Sequence, residues 1–356
     1  STVTSESQGV QRPFKLTQNK FILLEDDFSH IRNIGPVSML ANAHFSSSRT
    51  AVLVPGYNEE VTIQKVVQDF RAALPSADIY VYDNNSTDRT KEVAKAAGAI
   101  VRTERMKGKG HVIRRMFADI EADYYILVDG DATYEAAAAP GMLHAAMSEG
   151  LDMVNGARVT DREAAYRRGH VLGNKVLTGL VTLVFGRRLS DMLSGYRVFS
   201  RRFVKSFPAL SAGFETETEF TVHALELGMP IGEIPTAYIE RPPGSASKLR
   251  TYSDGLLILR TIINLVKQER PLMFFAALSL FFTLVGLILG IPVVVTYLNT
   301  GLVPRLPTAL LATGSMILAA LSLVCGLILD SITLGRRELK RMHYLSLAAP
   351  PLLEEQ

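Results

Sequence analysis

Two aspartates stand one residue apart, directly after an apolar run. The segment DYYILVDGDATY carries Tyr124 to Val128 and then Asp129 and Asp131, with Gly130 between them. An apolar run of this length predicts a buried strand, and carboxylates at its end lie at the mouth of a sheet. Two carboxylates so close repel each other unless they share a cation. The spacing therefore predicts a metal site.

Further polar side chains follow the strands that precede this one. The strand-like runs AVLV, DIYVY and AIVRT alternate with helical patterns, which predicts βαβ units and an α/β domain with a mostly parallel sheet. Glu59 and Glu60 follow the first run, and Asp83, Asn84 and Asn85 follow the second. Because parallel strands end at the same edge, these groups should gather beside the aspartate pair. Their oxygens suit Mg²⁺ or Mn²⁺, which also accept phosphate oxygens as ligands.

Several classes of function are disfavoured by the sequence. No glycine-rich Walker pattern is present, and no Gly-x-Gly-x-x-Gly follows a strand, so neither an NTPase nor a dehydrogenase is indicated. The net charge of +3 is too small to indicate nucleic acid as a partner. The seven histidines show no metal-binding spacing.

Two long uncharged runs lie near the end of the sequence. Leu272 to Leu298 and Leu306 to Leu329 each exceed the roughly 20 residues that a helix needs to cross a bilayer core about 30 Å thick. Basic residues flank their outer ends, while the connecting loop carries only Arg305. The positive-inside rule then predicts a two-span membrane protein with its remaining parts and both termini in the cytoplasm. The single cysteine, Cys325, agrees with a reducing compartment.

Two shorter segments are also expected near the membrane. Residues 173–186 are apolar on most faces but too short to span, so an interfacial helix and a buried core helix remain equally open. Residues 253–270 place apolar side chains at helical spacing, which predicts an amphipathic helix in the membrane plane.

The ordered motifs VPGYNEE, YDNNSTDRT, GKG and DGD resemble the nucleotide-sugar-binding half of inverting family-two glycosyltransferases of the GT-A fold. Downstream, SGYRVFSR, GFETETEF, IPTAYIERPPGSASKL and the two-helix tail are similar to polyprenyl-phosphate glycosyltransferases of the dolichyl-phosphate-sugar synthase type. The resemblance covers about residues 50 to 335, and it leaves residues 1–48 unexplained.

The resemblance implies a donor site for a nucleotide sugar and a divalent metal, Mg²⁺ or Mn²⁺. The metal ligands would be Asp129 and Asp131, which are also counted as catalytic. The nucleotide-sugar site would comprise Pro55, Tyr57, Glu59, Asp83, Asn85, Lys109, Asp129 and Gly130.

The second substrate would be a lipid phosphate, which needs Arg or Lys to hold it. The candidates are Arg158, Arg241, Ser247 and Lys248, in two segments that adjoin the predicted interfacial helices. A phosphate monoester is largely ionised at pH 7, so no general base is required. Asp191 is a candidate base that we expect rather to position the SGYR segment.

Glu217 is a further catalytic candidate, as a base or as a metal-orienting or structural residue. It is two residues from Glu219, so at most one of the pair should face the site if they lie on a helix.

The sequence divides into five predicted parts. These are an N-terminal extension (1–48), a GT-A catalytic domain (49–240), an acceptor loop with a juxtamembrane amphipathic helix (241–270), a transmembrane hairpin (271–334) and a cytoplasmic tail (335–356).

The function expected is transfer of a single sugar, with inversion, from a nucleotide diphosphate sugar to polyprenyl phosphate on the cytoplasmic membrane face. UDP-glucose is the preferred donor, and GDP-mannose or a UDP-N-acetylhexosamine is the alternative. A processive polysaccharide synthase is disfavoured because the chain has no tryptophan and only two apolar spans. A non-catalytic scaffold that recruits a flippase is the remaining alternative. We also expect a homo-oligomer, with a flippase as a candidate partner.

Overall fold

The structure is a computed structural model. It describes residues 48–159, 190–211, 213, 215–239, 241–242, 263–264, 267 and 270–352. Three predicted segments lie wholly or mostly outside this range: the extension 1–48, the apolar segment 173–186 and the loop that carries Ser247 and Lys248. Of the predicted amphipathic helix 253–270, residues 263, 264 and 267 are described, and all three are helical.

A mixed sheet forms the centre of the domain between residues 48 and 242, which we call the sheet domain. Its described strands are β1 Thr50–Gly56, β2 Asp78–Asp83, β3 Ile100–Thr103, β4 Tyr124–Leu127, β5 Met153–Val159, β6 Arg197–Ser200 and β7 Ile231–Ala237. They are arranged in the order β3-β2-β1-β4-β6-β5-β7. Within this set only β6 is antiparallel to its neighbours, so the prediction of a mostly parallel sheet is confirmed.

Helices cover both faces of the sheet. They are α1 Ile63–Ala73, α2 Thr90–Ala96, α3 Lys109–Asp119, α4 Ala139–Ser148, α5 Arg201–Ser206 and α6 Thr216–Leu227. In α1 the buried residues are Ile63, Val66, Val67 and Phe70, which is the spacing of a single helix face. The α/β fold class follows from this layered arrangement.

The central strand β1 shows how one strand serves two cores. Val52 and Val54 point into the core on the side of α1 and α4. Ala51 and Leu53 point into the other core, beneath α3 and α6. Because successive side chains of a strand face opposite ways, a strand buried on both faces carries a nearly continuous apolar run.

Two long helices, α7 Pro271–Thr300 and α8 Leu306–Ser346, form an antiparallel hairpin. Both are long and apolar enough to cross a membrane. Many of their large apolar side chains are exposed, including Leu280, Ile288 and Leu298. Helix α8 does not end at residue 334, where the charge pattern places the end of the hairpin, but continues to Ser346.

Candidate functional site

The loops after β1, β2 and β4 meet at one edge of the sheet. Gly56 at the end of β1 is in register with Asp83 at the end of β2, and β4 pairs with β1 on the other side. Left-handed backbone at Asn58, Asn85 and Ala132, with φ of 53°, 64° and 57°, turns these three loops. Such φ values are unfavourable for residues other than glycine and often mark functional sites.

The residues predicted to bind the nucleotide, at and after the ends of β1 and β2, lie side by side. Asp83 is fully buried and accepts hydrogen bonds from Ser86 N, while Lys91 Nζ lies 3.4 Å from its Oδ2. Glu59 is buried, and its backbone N donates to Thr90 Oγ1 at 2.8 Å. Pro55 is half-buried, whereas Tyr57 is 42% exposed, so its ring lies at the surface of this edge.

Two asparagines hold the loop that leads to α3. Asn84 accepts a hydrogen bond from Gly108 N at 2.8 Å and donates to Met106 O at 2.7 Å. Asn85 donates its amide to Arg105 O at 3.0 Å and to Glu104 O at 3.2 Å. Asn85 therefore shapes the wall of the site with its side-chain amide. Together these bonds fix the start of α3, where Lys109 lies.

Lys109 joins two carboxylates that are distant in sequence. Its Nζ lies 2.5 Å from Asp129 Oδ1 and 2.5 Å from Glu217 Oε1. Burial opposes the ammonium charge, but the two carboxylates outweigh it and raise the pKa of Lys109. Burial likewise raises the pKa of Glu217, against the opposing effect of Lys109. The predicted divergence on α6 is seen, since Glu219 instead accepts from Ser211 N.

Asp131 is held from two sides. Thr133 donates to its Oδ1 from Oγ1 at 2.6 Å, and Arg241 Nη2 lies 2.6 Å from its Oδ2. Burial, and then the negative charge of Asp129, raises the pKa of Asp131. Gly130 between the two aspartates accepts a hydrogen bond from Thr62 Oγ1 at 2.7 Å. The structure thus brings a predicted acceptor residue, Arg241, to the aspartate pair.

Gly195 packs directly against Asp129. A Cβ added at Gly195 would lie 2.9 Å from Asp129 Cγ and closer still to one of its oxygens. Gly195 N also donates to Tyr134 Oη at 2.8 Å. A larger residue would fit here only if the Asp129 carboxylate moved. Sequence reasoning named SGYR as a segment but missed Gly195, although a glycine just before a strand is a signal of close approach.

Arg158 and Asp191 form a two-point ion pair. Arg158 Nε and Nη2 donate to the two Asp191 oxygens at 2.6 and 2.8 Å. Burial opposes the Asp191 charge, but the hydrogen bonds from Arg158 lower its pKa below the usual value. A carboxylate held in this way is a poor proton acceptor, so the geometry favours a positioning role for Asp191.

Glu233 and Arg197, which sequence reasoning did not single out, hold the segment before β6. Glu233 accepts hydrogen bonds from Ser190 N at 2.8 Å and from Asn155 Nδ2 at 2.7 Å. Arg197 is fully buried, and its guanidinium donates to Met192 O at 2.6 Å and to Ser194 O at 3.1 Å. Burial lowers the pKa of Arg197 to about 10. The two Glu233 contacts join residues 43 and 78 positions apart in the sequence, so periodicity carries no trace of them.

The donor atoms around Asp129 and Asp131 fit a hard divalent cation. All are carboxylate oxygens. Burial, and then repulsion by Asp129, raises the pKa of Asp131, and a shared cation would relieve that repulsion. Glu217 Oε2 is buried without a hydrogen-bond partner among the described residues. Within the same residues no cluster of three or more His, Cys, Asp or Glu could hold an ion alone. A bound Mg²⁺ or Mn²⁺ would therefore complete its shell with phosphate oxygens and water.

Comparison with known proteins defines the class. The model of glycosyl transferase family 2 matches residues 51–207, which include β1 to β6 and both aspartates. The glycosyltransferase AglJ of Haloferax volcanii is 34% identical over 297 residues, which are 83% of this chain and 97% of AglJ. The chain therefore belongs to glycosyl transferase family 2, and it is a glycosyltransferase.

A second related protein and a solved structure are also similar to this chain. A dolichyl-phosphate hexose transferase of Haloferax volcanii is 26% identical over 220 residues, 62% of this chain and 95% of that protein. Glucosyl-3-phosphoglycerate synthase of Mycobacterium tuberculosis, solved with Mn²⁺, uridine diphosphate and glucosyl-3-phosphoglycerate, superposes with a TM-score of 0.53. It is 21% identical, and the match covers 65% of this chain and 83% of the synthase. This likeness confirms the GT-A fold.

Proposed function

We propose that the protein transfers one sugar from a nucleotide diphosphate sugar to a polyprenyl phosphate at the cytoplasmic face of a membrane, with inversion at the sugar. The proposal rests on two features that occur in the same chain. An aspartate pair stands at the strand end of a family-two glycosyltransferase, and two helices in the same chain are long and apolar enough to span a bilayer. The similarity to a dolichyl-phosphate hexose transferase supports a lipid phosphate as acceptor.

The donor would bind along the ends of β1, β2 and β4. The nucleoside would contact the exposed ring of Tyr57 and the buried carboxylate of Asp83, beside Pro55 and Glu59. Lys109 would face the diphosphate, because its ammonium already lies at the aspartate pair. UDP-glucose is the donor that we propose on the family resemblance, ahead of GDP-mannose and the UDP-N-acetylhexosamines.

Asp129 and Asp131 would hold Mg²⁺ or Mn²⁺. The ion would act as a Lewis acid that stabilises the negative charge of the departing nucleoside diphosphate. Lys109 contacts Asp129 and Arg241 contacts Asp131, so each aspartate lies beside a cationic side chain. Gly195 keeps the other side of Asp129 clear, so the carboxylate can stay at the strand end.

The acceptor phosphate would meet Arg241 and Arg158, together with Ser247 and Lys248, which follow Arg241 in the sequence. Arg241 lies 2.6 Å from Asp131, so a phosphate bound by this arginine would be next to the donor site. The ionised phosphate oxygen attacks the sugar carbon without a proton acceptor, since its second pKa is near 6. The ion pair of Asp191 with Arg158 then orients the arginine instead of removing a proton.

The experiment is a release assay on the detergent-solubilised chain. We expect nucleoside diphosphate to appear only when a nucleotide sugar, polyprenyl phosphate and Mg²⁺ or Mn²⁺ are all present. Replacing Asp129 and Asp131 together by Ala should abolish release. Undiminished turnover of this double variant would contradict the metal assignment, and release without any lipid phosphate would contradict the acceptor.

A thermal-shift panel identifies the donor. Each nucleotide sugar is added with Mn²⁺, and the true donor raises the melting temperature most because it binds only the folded state. We expect UDP-glucose to give the largest shift. If GDP-mannose or a UDP-N-acetylhexosamine gave a larger shift, that nucleotide sugar would be the donor instead of UDP-glucose.

A further inference from the structure

The polar end of α8 docks on the sheet domain. Arg337, Lys340 and Tyr344 share one face of the helix, because residues three and four apart are neighbours on a helix surface. Lys340 Nζ lies 2.7 Å from Glu226 Oε2, and Arg337 Nε lies 3.7 Å from Glu226 Oε1. The Glu226 side chain is only 2% exposed, so its charge is stabilised largely by the helix that follows the second apolar span.

A second contact lies one turn further along. Tyr344 Oη donates to Asp152 Oδ2 at 2.6 Å, and the Arg202 guanidinium carbon lies 5.0 Å from the centre of the tyrosine ring. Asp152 is fully buried, and its other oxygen accepts from Ser200 Oγ at 2.5 Å. Two buried carboxylates of the sheet domain thus find partners on α8, which makes this docking specific.

These contacts lie at the opposite edge of the sheet from the aspartate pair. Asp152 precedes β5, whereas Arg158 lies near its other end, about 20 Å away at 3.3 Å per residue. Helix α6 joins the two regions directly: Glu217 in its first turn contacts Lys109, and Glu226 in its last turn contacts Lys340. The docked residues of α8 are therefore too remote to touch a substrate, and they can act only through position.

We propose that the segment Arg336–Ser346 of α8 sets the height and tilt of the sheet domain above the membrane, through Glu226 and Asp152, so that a membrane-bound phosphate reaches the site. This inference rests on the proposed function. Because α8 is one unbroken helix from the second apolar span to Ser346, its orientation in the bilayer is passed on to the domain. Misplacing reacting groups by about 1 Å can cost a factor of 100 in rate, so the docking should affect catalysis with lipid-embedded acceptors.

The test compares two charge reversals on neighbouring residues. Lys340→Glu sets a negative charge against Glu226, whereas Arg341→Glu makes the same change on an exposed position of the same helix. Each full-length variant is assayed with polyprenyl phosphate in liposomes and with a short water-soluble prenyl phosphate, and nucleotide-sugar binding is measured without acceptor. Tyr344→Phe is the milder second variant, since it removes only the hydroxyl that reaches Asp152.

We expect Lys340→Glu to lower kcat/KM for polyprenyl phosphate in liposomes at least tenfold. The kcat/KM for the short prenyl phosphate and the affinity for the nucleotide sugar should each change less than twofold. Tyr344→Phe should lower the liposomal kcat/KM by a smaller factor, and Arg341→Glu should have the kcat/KM of the wild type. The positioning role would be overturned if activity fell equally on both acceptors. It would also be overturned if either Lys340→Glu or Tyr344→Phe lost no activity in liposomes. A wild-type protein that glycosylates neither prenyl phosphate would instead refute the proposed function, and this inference with it.

Discussion

Cationic side chains hold the carboxylates of the site in place. Lys109 bridges Asp129 and Glu217, and Arg241 contacts Asp131. Each pair is wholly or partly buried, where an unpaired charge would be strongly unfavourable. The same cations suit the phosphates of both proposed substrates, so substrate binding would exchange one set of anions for another.

Replacing Gly195 by Ala tests the close approach to Asp129. The new Cβ cannot be accommodated without moving the carboxylate, so transfer activity should fall by about 100-fold or more. Gly141→Ala is the matched control, because a Cβ at Gly141 in α4 meets no atom within 4 Å. That change should retain activity and add roughly 0.5–1 kcal/mol of helix stability. Full activity of the Gly195 variant would show that the carboxylate has room to move.

His223 makes stability depend on pH. Burial, and then the charge of Lys340, lowers its pKa to about 3 from the ordinary 6.5. Between these values the unfolded chain binds a proton that the folded protein does not, so stability falls as pH drops below 6.5. From pH 6.5 to 5 the loss is about 2 kcal/mol. His223→Gln should flatten this part of the stability curve, measured by denaturation in detergent. Equal slopes for the wild type and His223→Gln would contradict the assignment.

At the residue scale the sequence provides candidate site residues but does not predict which of them contact each other. Asp129 and Asp131 could be selected because they follow an apolar strand. The contact of Lys109 with Glu217 spans 108 residues, and no local pattern encodes it. Arg158 and Asp191 are both candidates from the sequence, but their pairing emerges only when β5 and the segment before β6 come together.

At the element scale the alternation of strands and helices predicts the first half of the sheet correctly. The strands from β1 to β4 alternate with helical patterns in the sequence, so their parallel direction could be predicted. Strand β6, with only four residues, inserts antiparallel between β4 and β5. Its place depends on long-range pairing and on the buried Arg197, neither of which has a local signature.

The length of α8 shows a second limit of sequence patterns. Charges after Leu329 would mark where a membrane-spanning helix leaves the hydrocarbon region, and they do not mark where the helix ends. The segment that follows Gly335 is rich in Arg, Glu, Leu and Lys, which favour helix, so α8 continues to Ser346.

Close packing between α7 and α8 is tested by replacing Gly326 with Leu. A Cβ at Gly326 would lie 2.9 Å from Phe275 Cβ, so a larger side chain should push the helices apart. We expect a loss of about 1–3 kcal/mol, seen as a lower melting temperature in detergent. Gly314→Leu is the control, because a Cβ there meets nothing within 4 Å. The packing would be refuted if both variants melted at the wild-type temperature.

At the scale of the whole molecule, a glycosyltransferase domain and a pair of apolar helices form one connected unit. Helix α8 contacts α5 and α6 of the sheet domain, and α6 begins at the Lys109 cluster. The donor site at the strand ends and the proposed lipid acceptor would then meet at the edge that carries Asp131 and Arg241. This arrangement explains why one chain would combine the two parts.

The most direct test follows a labelled sugar into lipid. Full-length protein in liposomes receives labelled UDP-glucose, GDP-mannose or a UDP-N-acetylhexosamine with Mn²⁺, and the lipid extract is analysed by mass spectrometry. Parallel liposomes carry polyprenyl phosphate or the matching polyprenol without phosphate. We predict a single sugar attached to the phosphate of polyprenyl phosphate and none on the alcohol. The proposed function would be contradicted if none of the three donors gave a labelled lipid phosphate although the folded protein bound a nucleotide sugar.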